Sequence, residues 1–301
     1  MERTQWQNKS TMQKLLVISG ATATGKTAIG VHLAKMFDGE LVSADSRQVY
    51  EGMDIGTGKD LKELKGVPLW MIDVVKPDEE YSVSHFTLQA TAVIDDIQKR
   101  NKLPIIVGGT GFYIRALLHP FETLHVPPDG VLREELSDAS IEVLQEILQS
   151  LDTHVFSAMN ASDQMNPRRL IRKIEIASGS SPRGPLGELQ GDLLEKDDVL
   201  HIGLTAPLKE LYRRIDVRVE KRVAQGMKVE IQTLLRFGYS WDLPSMHALG
   251  YIQWKDAASE EEAITRWKYD EHAYARRQMT WLHKEKDIVW LDVVNSQFKD
   301  S

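Results

Sequence analysis

The residues of this sequence with the clearest capacity for chemistry form a glycine-rich stretch near its start, LLVISGATATGKT at 15–27. Glycine lets consecutive backbone N–H groups face an anion at the start of a helix, Lys26 adds a positive charge, and the Thr27 hydroxyl can hold Mg²⁺. A buried-strand pattern precedes the stretch and a helical pattern follows it, which together predict a phosphate-binding P-loop. A P-loop indicates a polyphosphorylated ligand but leaves the reaction open, and the alternative is an ordinary strand-to-helix turn.

A second group of reactive side chains follows other predicted strands, which we place at 40–44, 68–75 and 103–107. Asp45 comes directly after the first strand, and Thr110 lies in a glycine-rich turn after the third. Both should lie near the P-loop, because the carboxyl ends of parallel strands share one edge of a sheet. Asp73 ends an apolar run and resembles a Walker B carboxylate, which would face Mg²⁺. Capping of a turn or helix is the alternative for Asp45 and Thr110, and a plain buried strand is the alternative for Asp73.

Arginines recur at helical spacing in two further segments. PRRLIRK at 167–173 places two arginines one turn apart, and Arg214, Arg218 and Arg222 repeat this spacing beside an apolar stripe. Three arginines on one helix face are unfavourable neighbours unless an anion lies nearby. A long predicted helix at 260–284 interleaves basic and aromatic side chains, which suits nucleic-acid contact. A solvated charged face or an amphipathic packing helix would give similar patterns.

Composition excludes several classes of protein. The chain has 301 residues, a net charge of −7 and no cysteine, which excludes disulfides, thiol catalysis and cysteine-ligated zinc. The negative charge argues against a uniformly basic nucleic-acid surface but leaves room for a local one. No apolar run reaches the roughly 20 residues of a membrane span, and the first residues lack the apolar centre of a signal peptide. We therefore expect a cytoplasmic protein without a membrane segment.

The order of elements predicts an α/β fold with an insertion. Strand and helix patterns alternate up to residue 119, as in a P-loop NTPase-like parallel sheet flanked by helices. From Pro120 the sequence pattern changes. A proline-bearing connector comes first, and segments with helical periodicity and no strand candidate follow. Strand character returns at 199–204. We therefore predict a catalytic core formed by 1–119 and 199–301, interrupted by an all-helical domain at 120–198.

The chain resembles the tRNA dimethylallyltransferases of bacterial type, also called tRNA isopentenyltransferases. The resemblance rests on separated stretches in a fixed order: GATATGKT at 20–27, SADSRQVYEGMDIGTGK at 43–59, VGGTGFYIRALL at 107–118, NPRRLIRKIE at 166–175 and ARRQMTWL at 275–282. It implies transfer of a dimethylallyl group from dimethylallyl diphosphate to the exocyclic amine of the adenine 3′ of a tRNA anticodon, with release of diphosphate. It also implies that the P-loop holds the prenyl diphosphate rather than ATP. We expect a monomer that binds Mg²⁺ and a tRNA anticodon stem-loop.

Specific roles follow from matching this resemblance residue by residue. Asp45 matches the general base, Thr110 the residue that meets the target amine, and Arg218 an arginine that grips the diphosphate with Lys26. Thr27 matches the Mg²⁺ ligand. The diphosphate loop comprises Gly20, Ala21, Thr22, Ala23, Thr24, Gly25, Lys26 and Thr27. The tRNA contacts comprise Asp45, Ser46, Arg47, Gln48, Thr110, Arg133, Arg168, Arg169, Leu170, Ile171, Arg172, His247, Ala248, Leu249, Gly250, Tyr251, Ile252, Arg276, Arg277, Gln278 and Trp281.

Two other classes of protein remain as alternatives at this point. A P-loop kinase of a small metabolite or nucleotide would use Asp73 as its magnesium carboxylate. A nucleotide-switched binding module would capture a partner without chemistry of its own. Consumption of ATP distinguishes the first, and nucleotide-dependent capture of a partner distinguishes the second.

Overall fold

The computed structural model describes residues 14–119, 126, 128–179 and 198–294. Internal contacts divide the chain into two compact units. The first contains the described residues of Met1–Leu118 and Leu193–Ser301, and the second contains those of His119–Asp192. The sequence predicts boundaries after residues 119 and 198, and this division falls after residues 118 and 192.

The first unit is built on a parallel sheet with the strand order β3-β2-β4-β1-β5-β6. All of its strand pairs are parallel, and Ile18 of the central strand lies opposite Val107 on one side and Ile202 on the other. Continuous apolar runs, rather than alternating ones, form the central strands because both faces of a parallel sheet are covered. The strands are β1 Leu15–Gly20, β2 Gly39–Ser43, β3 Leu69–Trp70, β4 Leu103–Gly108, β5 Val199–Thr205 and β6 Val289–Asp292. The predicted parallel α/β core is confirmed.

Helices cover both faces of this sheet. Ile18 packs in a cluster with Val31 of the first helix, whereas its neighbour Val17 packs with Phe86 and Ile114 on the opposite face. The helices are α1 Lys26–Phe37, α2 Val83–Lys99, α3 Gly111–Leu118, α4 Gly130–Glu135, α5 Ile141–Leu151, α6 Thr153–Ala158, α7 Ala161–Gln164, α8 Pro167–Ser178, α9 Leu208–Ala224, α10 Met227–Arg236 and α11 Glu260–Leu282. Short 3-10 helices lie at Leu61–Leu64 and Ile252–Trp254. No helix of the described residues is both long enough and apolar enough to cross a membrane.

The apolar stripe predicted beside the arginines forms part of a core cluster. Ile215 and Val219 of α9 are fully buried and pack in one cluster with Trp267 and Met279 of α11. A helix presents its side chains with a period of 3.6 residues, so burial of this stripe fixes the direction of the neighbouring arginines. The packing of α9 against α11 therefore positions the basic side chains described below.

One strand prediction is wrong. The run at 68–75 forms only the short strand β3, because the backbone turns at Met71 and Asp73, whose φ angles are 64° and 51°. These left-handed residues end regular pairing. The Asp73 N–H then donates to the Gln48 carbonyl at 3.1 Å, and the Val74 N–H donates to the Val49 carbonyl at 2.7 Å. These hydrogen bonds join the apolar run to the segment after β2, so the run does not extend β3.

The second unit is helical in its described part, from α4 to α8. Its core contains Leu144 and Leu148 of α5 with Leu170 and Ile174 of α8. Glu175 is fully buried beside this core and accepts hydrogen bonds from two arginines, Arg133 Nε at 2.6 Å and Arg172 Nη1 at 2.9 Å. Burial alone would raise the pKa of Glu175, but the two arginines outweigh it and hold the pKa below its usual value.

Candidate active site

The glycine-rich turn after β1 is held in shape by its own hydrogen bonds. Thr24 Oγ1 donates to the Ala21 carbonyl at 2.8 Å, and Lys26 Nζ donates to the same oxygen at 2.9 Å. Gly25, at the start of α1, has a φ of 87°, a left-handed conformation that glycine adopts without strain. The turn therefore leads directly into the helix N-terminus, as a phosphate-binding loop requires.

A cavity of about 720 Å³ opens beside this turn. This volume suits a small organic ligand. Its walls come from segments that are distant in the sequence. They include P-loop residues, 45–48 after β2, Gly56–Asp60, Val107–Gly109 at the end of β4, the arginine-bearing face of α9, His247 and Leu249, and α11. The predicted residues Lys26, Thr27, Asp45 and Arg218 all line it.

The wall of the cavity formed by the P-loop and α9 carries an excess of positive charge. Arg218 Nη2 contacts Thr22 Oγ1 and lies 3.3 Å from the Glu271 carboxylate, and Arg222 Nη1 donates to the Gly56 carbonyl at 3.2 Å. The Nε atoms of both arginines are buried without a hydrogen-bond partner. Buried guanidinium donors are normally satisfied, so these two indicate a missing acceptor.

The same excess charge shifts the pKa values of two cavity residues. Burial, followed by repulsion from Arg218, lowers the pKa of Lys26 to about 8, although Asp45 and Glu271 act in the opposite direction. Burial and the same repulsion lower the pKa of Arg222 to about 10. One buried carboxylate, Glu271, therefore does not compensate the basic cluster. A polyphosphate anion would supply the missing negative charge.

Arg214 lies at the cavity wall but is already paired. Its Nε donates to Glu210 at 2.7 Å, one helical turn earlier on α9. All three arginines at four-residue steps line the cavity, but Arg218 and Arg222 each keep a buried Nε atom without a partner, whereas the Nε atom of Arg214 is engaged with its own helix. Only the first of these two was predicted to hold the diphosphate.

Asp45 also lines the cavity, and Thr110 is bonded to the turn that carries it. The Asp45 carboxylate accepts the Arg47 N–H at 2.9 Å, which fixes the turn after β2. Thr110 Oγ1 accepts the Ser46 N–H at 3.1 Å, and the Thr110 N–H donates to the Ala44 carbonyl at 3.2 Å. The turns after β2 and β4 are thus joined directly, which brings a carboxylate and a hydroxyl to the same edge of the sheet.

Tyr274 of α11 also lines the cavity and was not among the predicted site residues. Its hydroxyl is hydrogen bonded to Thr110, and burial, with the nearby Asp45 carboxylate, raises its pKa. Glu271 was not predicted either. Together with Tyr274 and Gln278 it lies on one face of α11 at helical spacing. The sequence signal that could have identified these residues is the presence of polar residues on a helix face that otherwise carries buried apolar ones.

The predicted tRNA-contact residues differ in their exposure. Arg168 and Arg169 of α8, His247, and Arg276 and Arg277 of α11 have exposed side chains. By contrast, Leu170, Ala248, Tyr251 and Gln278 are buried, so their side chains have packing or bonding partners inside the protein. Arg133 and Arg172 share the buried Glu175 described above. Arg47 donates to the Pro244 carbonyl at 3.1 Å, and Gln48 donates to the Gly58 carbonyl at 3.0 Å. Ile171, Leu249, Ile252 and Trp281 are partly exposed, and Gly250 is buried.

The Walker B interpretation of Asp73 is wrong. Its carboxylate forms an ion pair with the buried Lys59, which also contacts Asp54 at 2.6 Å and donates to the Tyr50 carbonyl at 2.8 Å. Asp73 does not line the cavity. Its position is explained by the need of a buried ammonium group for counter-charges. The kinase alternative consequently loses its magnesium carboxylate.

The sequence is similar to known proteins over most of its length. A family model described as IPP transferase matches residues 48–285, and one described as isopentenyl transferase matches residues 13–73. The tRNA dimethylallyltransferase of Thermomicrobium roseum is 43% identical over 288 residues, covering 93% of this chain and 86% of that protein.

Solved structures give the same result. The tRNA isopentenylpyrophosphate transferase of Bacillus halodurans aligns with a TM-score of 0.68 at 36% identity, covering 93% of this chain and 90% of that one. A eukaryotic dimethylallyltransferase described as acting on tRNA aligns with a TM-score of 0.80 at 28% identity, covering 95% of this chain and 75% of that one. The chain belongs to the tRNA dimethylallyltransferase family.

Proposed function

We propose that this protein transfers the dimethylallyl group of dimethylallyl diphosphate to the exocyclic amine of the adenine 3′ of a tRNA anticodon. The observation that carries the proposal is one cavity lined both by a basic cluster at the P-loop and by the Asp45 carboxylate, with the Thr110 hydroxyl hydrogen bonded to the turn that carries Asp45. An anionic leaving group and an amine that must lose a proton need these two environments.

The donor side supports departure of diphosphate. As the bond between the first prenyl carbon and the diphosphate oxygen breaks, its electron pair moves to the departing oxygen. Lys26, Arg218 and Arg222 surround the space where this negative charge would accumulate. Loss of one such preorganised donor costs roughly 3 kcal/mol at the transition state. The P-loop therefore acts here on a leaving group.

The acceptor side supports attack by the amine. The adenine nitrogen forms its bond to the first prenyl carbon and passes a proton to the Asp45 carboxylate. Thr110, which is fixed by Ser46 and Tyr274, offers a hydroxyl that orients the amine. General-base assistance contributes typically 10²–10⁴-fold in rate. The target base must leave its stack, which costs only a few kcal/mol in a single-stranded anticodon loop.

The residues present fit Mg²⁺ bound mainly through substrate. The described residues hold no cluster of three or more His, Cys, Asp or Glu side chains that could hold a metal ion. Thr27 lines the cavity beside Lys26, so its hydroxyl would join diphosphate oxygens and water around the ion. Mg²⁺ prefers this mixture of few protein ligands with phosphate and water. When bound, it would neutralise part of the diphosphate charge.

The tRNA contacts would come from exposed basic side chains. Arg168 is exposed on α8, whereas Arg172 on the same helix donates to Glu175 and to the Val126 carbonyl at 2.6 Å. We expect Arg168→Ala to weaken tRNA binding and to reduce the slope of log Kd against log salt by roughly one. Arg172→Ala should instead lower the thermal midpoint, because it leaves Glu175 with less compensation. Equal salt slopes for wild type and Arg168→Ala would assign that arginine to a solvated surface.

The decisive experiment uses purified protein, labelled dimethylallyl diphosphate, Mg²⁺ and an unmodified tRNA, followed by digestion and nucleoside analysis. We expect label in isopentenyladenosine at the position 3′ of the anticodon and stoichiometric release of diphosphate. A tRNA with guanine at that position is the matched control and should stay unlabelled. Hydrolysis of ATP without prenyl transfer would contradict the proposal and support the kinase alternative.

A further inference from the structure

Gln278 of α11 joins the two glycine-rich turns of the cavity. Its side-chain oxygen accepts the Thr22 N–H of the P-loop at 2.8 Å, and its side-chain nitrogen donates to the Gly109 carbonyl at 3.0 Å. Gln278 is only 7% exposed. Both ends of the amide are therefore engaged inside the protein, which leaves little of it for contact with RNA.

The turn after β4 lies unusually close to α11. A Cβ atom at Gly109 would lie 2.2 Å from Gln278 Nε2, and one at Gly111 would lie 2.1 Å from the Trp281 ring. Contacts below 3.0 Å require a shift of the surrounding atoms. Glycine at these two positions therefore allows a direct approach that fixes the distance between the helix and the turn.

The same helix face also reaches the acceptor residue. Tyr274, one turn before Gln278, is hydrogen bonded to Thr110, which follows Gly109 directly. Thr22, at the other end of the glutamine bridge, contacts Arg218. The bridge thus connects a residue beside the leaving-group side with the backbone beside the amine-binding hydroxyl.

We propose that Gln278 is a positioning residue that sets the separation between the donor and acceptor halves of the site. This inference rests on the proposed prenyl transfer. Displacement at carbon requires the attacking nitrogen and the prenyl carbon to be about 3–3.5 Å apart and aligned, and a misplacement of about 1 Å can cost 10²-fold in rate. Gln278 touches neither reacting group. It controls the position of the two loops that hold them.

The test compares variants of Gln278 by steady-state and single-turnover kinetics. Gln278→Met keeps the length of the side chain but removes both hydrogen bonds. Gln278→Asn keeps the amide but is one methylene too short to reach both loops. We expect kcat and the single-turnover rate to fall about 10- to 100-fold in both variants, while KM for dimethylallyl diphosphate and for tRNA each change less than about threefold.

Thr280→Ala is the matched control, because Thr280 is exposed on another face of α11. It should keep the wild-type kcat, and thermal midpoints measured for all variants separate instability from misalignment. A kcat within twofold of wild type in both Gln278 variants would overturn the proposal, as would a rise in KM at unchanged kcat. If the wild-type protein itself transfers no prenyl group, the proposed function fails instead.

Discussion

The lowered pKa of Lys26 makes a quantitative prediction about how the cavity binds diphosphate. In the free protein, burial and repulsion from Arg218 lower this pKa from 10.5 to about 8. A diphosphate beside the ammonium group favours its charged form, so the pKa must rise on binding. Above about pH 8 the free protein has to take up a proton when it binds the anion. Affinity should therefore be greatest below pH 8 and decrease as the pH rises.

The size of the effect follows from the shift. Lowering the pKa from 10.5 to about 8 corresponds to about 3 kcal/mol as an upper limit, because Lys26 keeps some exposure and solvent reduces the interaction. If binding restores the ordinary pKa, Kd for diphosphate should weaken about tenfold between pH 7 and pH 9. Folding stability responds in the opposite direction. The charged lysine disfavours the folded state below pH 8, and this cost is relieved as the pH rises toward 10.5.

Isothermal titration of inorganic diphosphate from pH 6.5 to 9.5, in EDTA, measures this directly. Lys26→Met is the control, since ionisation of the ligand itself is common to both proteins and cancels in the ratio of their Kd values. The ratio of the Kd of Lys26→Met to the Kd of the wild type should fall as the pH rises, with a midpoint near pH 8. Arg218→Gln should move that midpoint upward, because it removes a charge that lowers the pKa of Lys26. A ratio that stays constant over this range would refute the assignment of Lys26 to the diphosphate side.

Three further predictions concern other parts of the site. Asp45→Asn should lower the single-turnover rate by about 10²–10⁴-fold while the affinities for diphosphate and tRNA stay within about threefold; an unchanged rate would remove Asp45 from the role of base. Gly58→Ala should raise Kd for diphosphate about tenfold or more, because Gly58 has a φ of 66° and its new Cβ would lie 1.6 Å from Arg222 Nη2. Calorimetry measures this Kd, and Gly66→Ala is the control for backbone strain alone. Glu230→Gln should lower the free energy of unfolding by about 1–3 kcal/mol in urea titration, because the Glu230 carboxylate accepts the backbone N–H groups of Asp54, Ile55 and Gly56; equal stability would show that water replaces these bonds.

The fold was predictable where a segment's own pattern determines its structure. β1 and β4 are apolar runs that end at glycine, β5 is mostly apolar, and the predicted bounds of each differ by one residue from those observed. The run at 68–75 was not predictable in this way. Its strand ends early because Lys59 binds Asp73 and because the backbone bonds to Gln48 and Val49, and no local pattern reveals these partners.

The site was predictable to the extent that its residues follow strand ends. Lys26, Asp45 and Thr110 each come directly after a strand or open the helix after it, so the topology of a parallel sheet brings them together. The contributions of α11 could not be obtained from such reasoning. Thr22 and Gln278 are hydrogen bonded across 256 positions of sequence, and that contact depends on how α9 and α11 pack. A helix pattern identifies a face but not the partner of that face.

The glycine-rich segment that forms one wall of the cavity is fixed from outside the ligand space. The Glu230 carboxylate accepts the N–H groups of Asp54, Ile55 and Gly56 at 3.0, 2.7 and 3.1 Å, and it accepts the Tyr251 hydroxyl at 2.6 Å. On the other flank, the buried Lys59 holds Asp54 and Asp73.

This bracing has a consequence for binding. Arg222 rests against the Gly56 carbonyl at 3.2 Å, so the wall and the guanidinium group are in place before an anion arrives. Ordering of loops and long side chains is a main cost of association, and a preformed wall avoids it. Binding of the ligand then mainly neutralises the excess positive charge and does not have to order the wall. We accordingly expect diphosphate affinity to depend strongly on Lys26, Arg218 and Arg222, and activity to depend separately on the alignment that α11 provides.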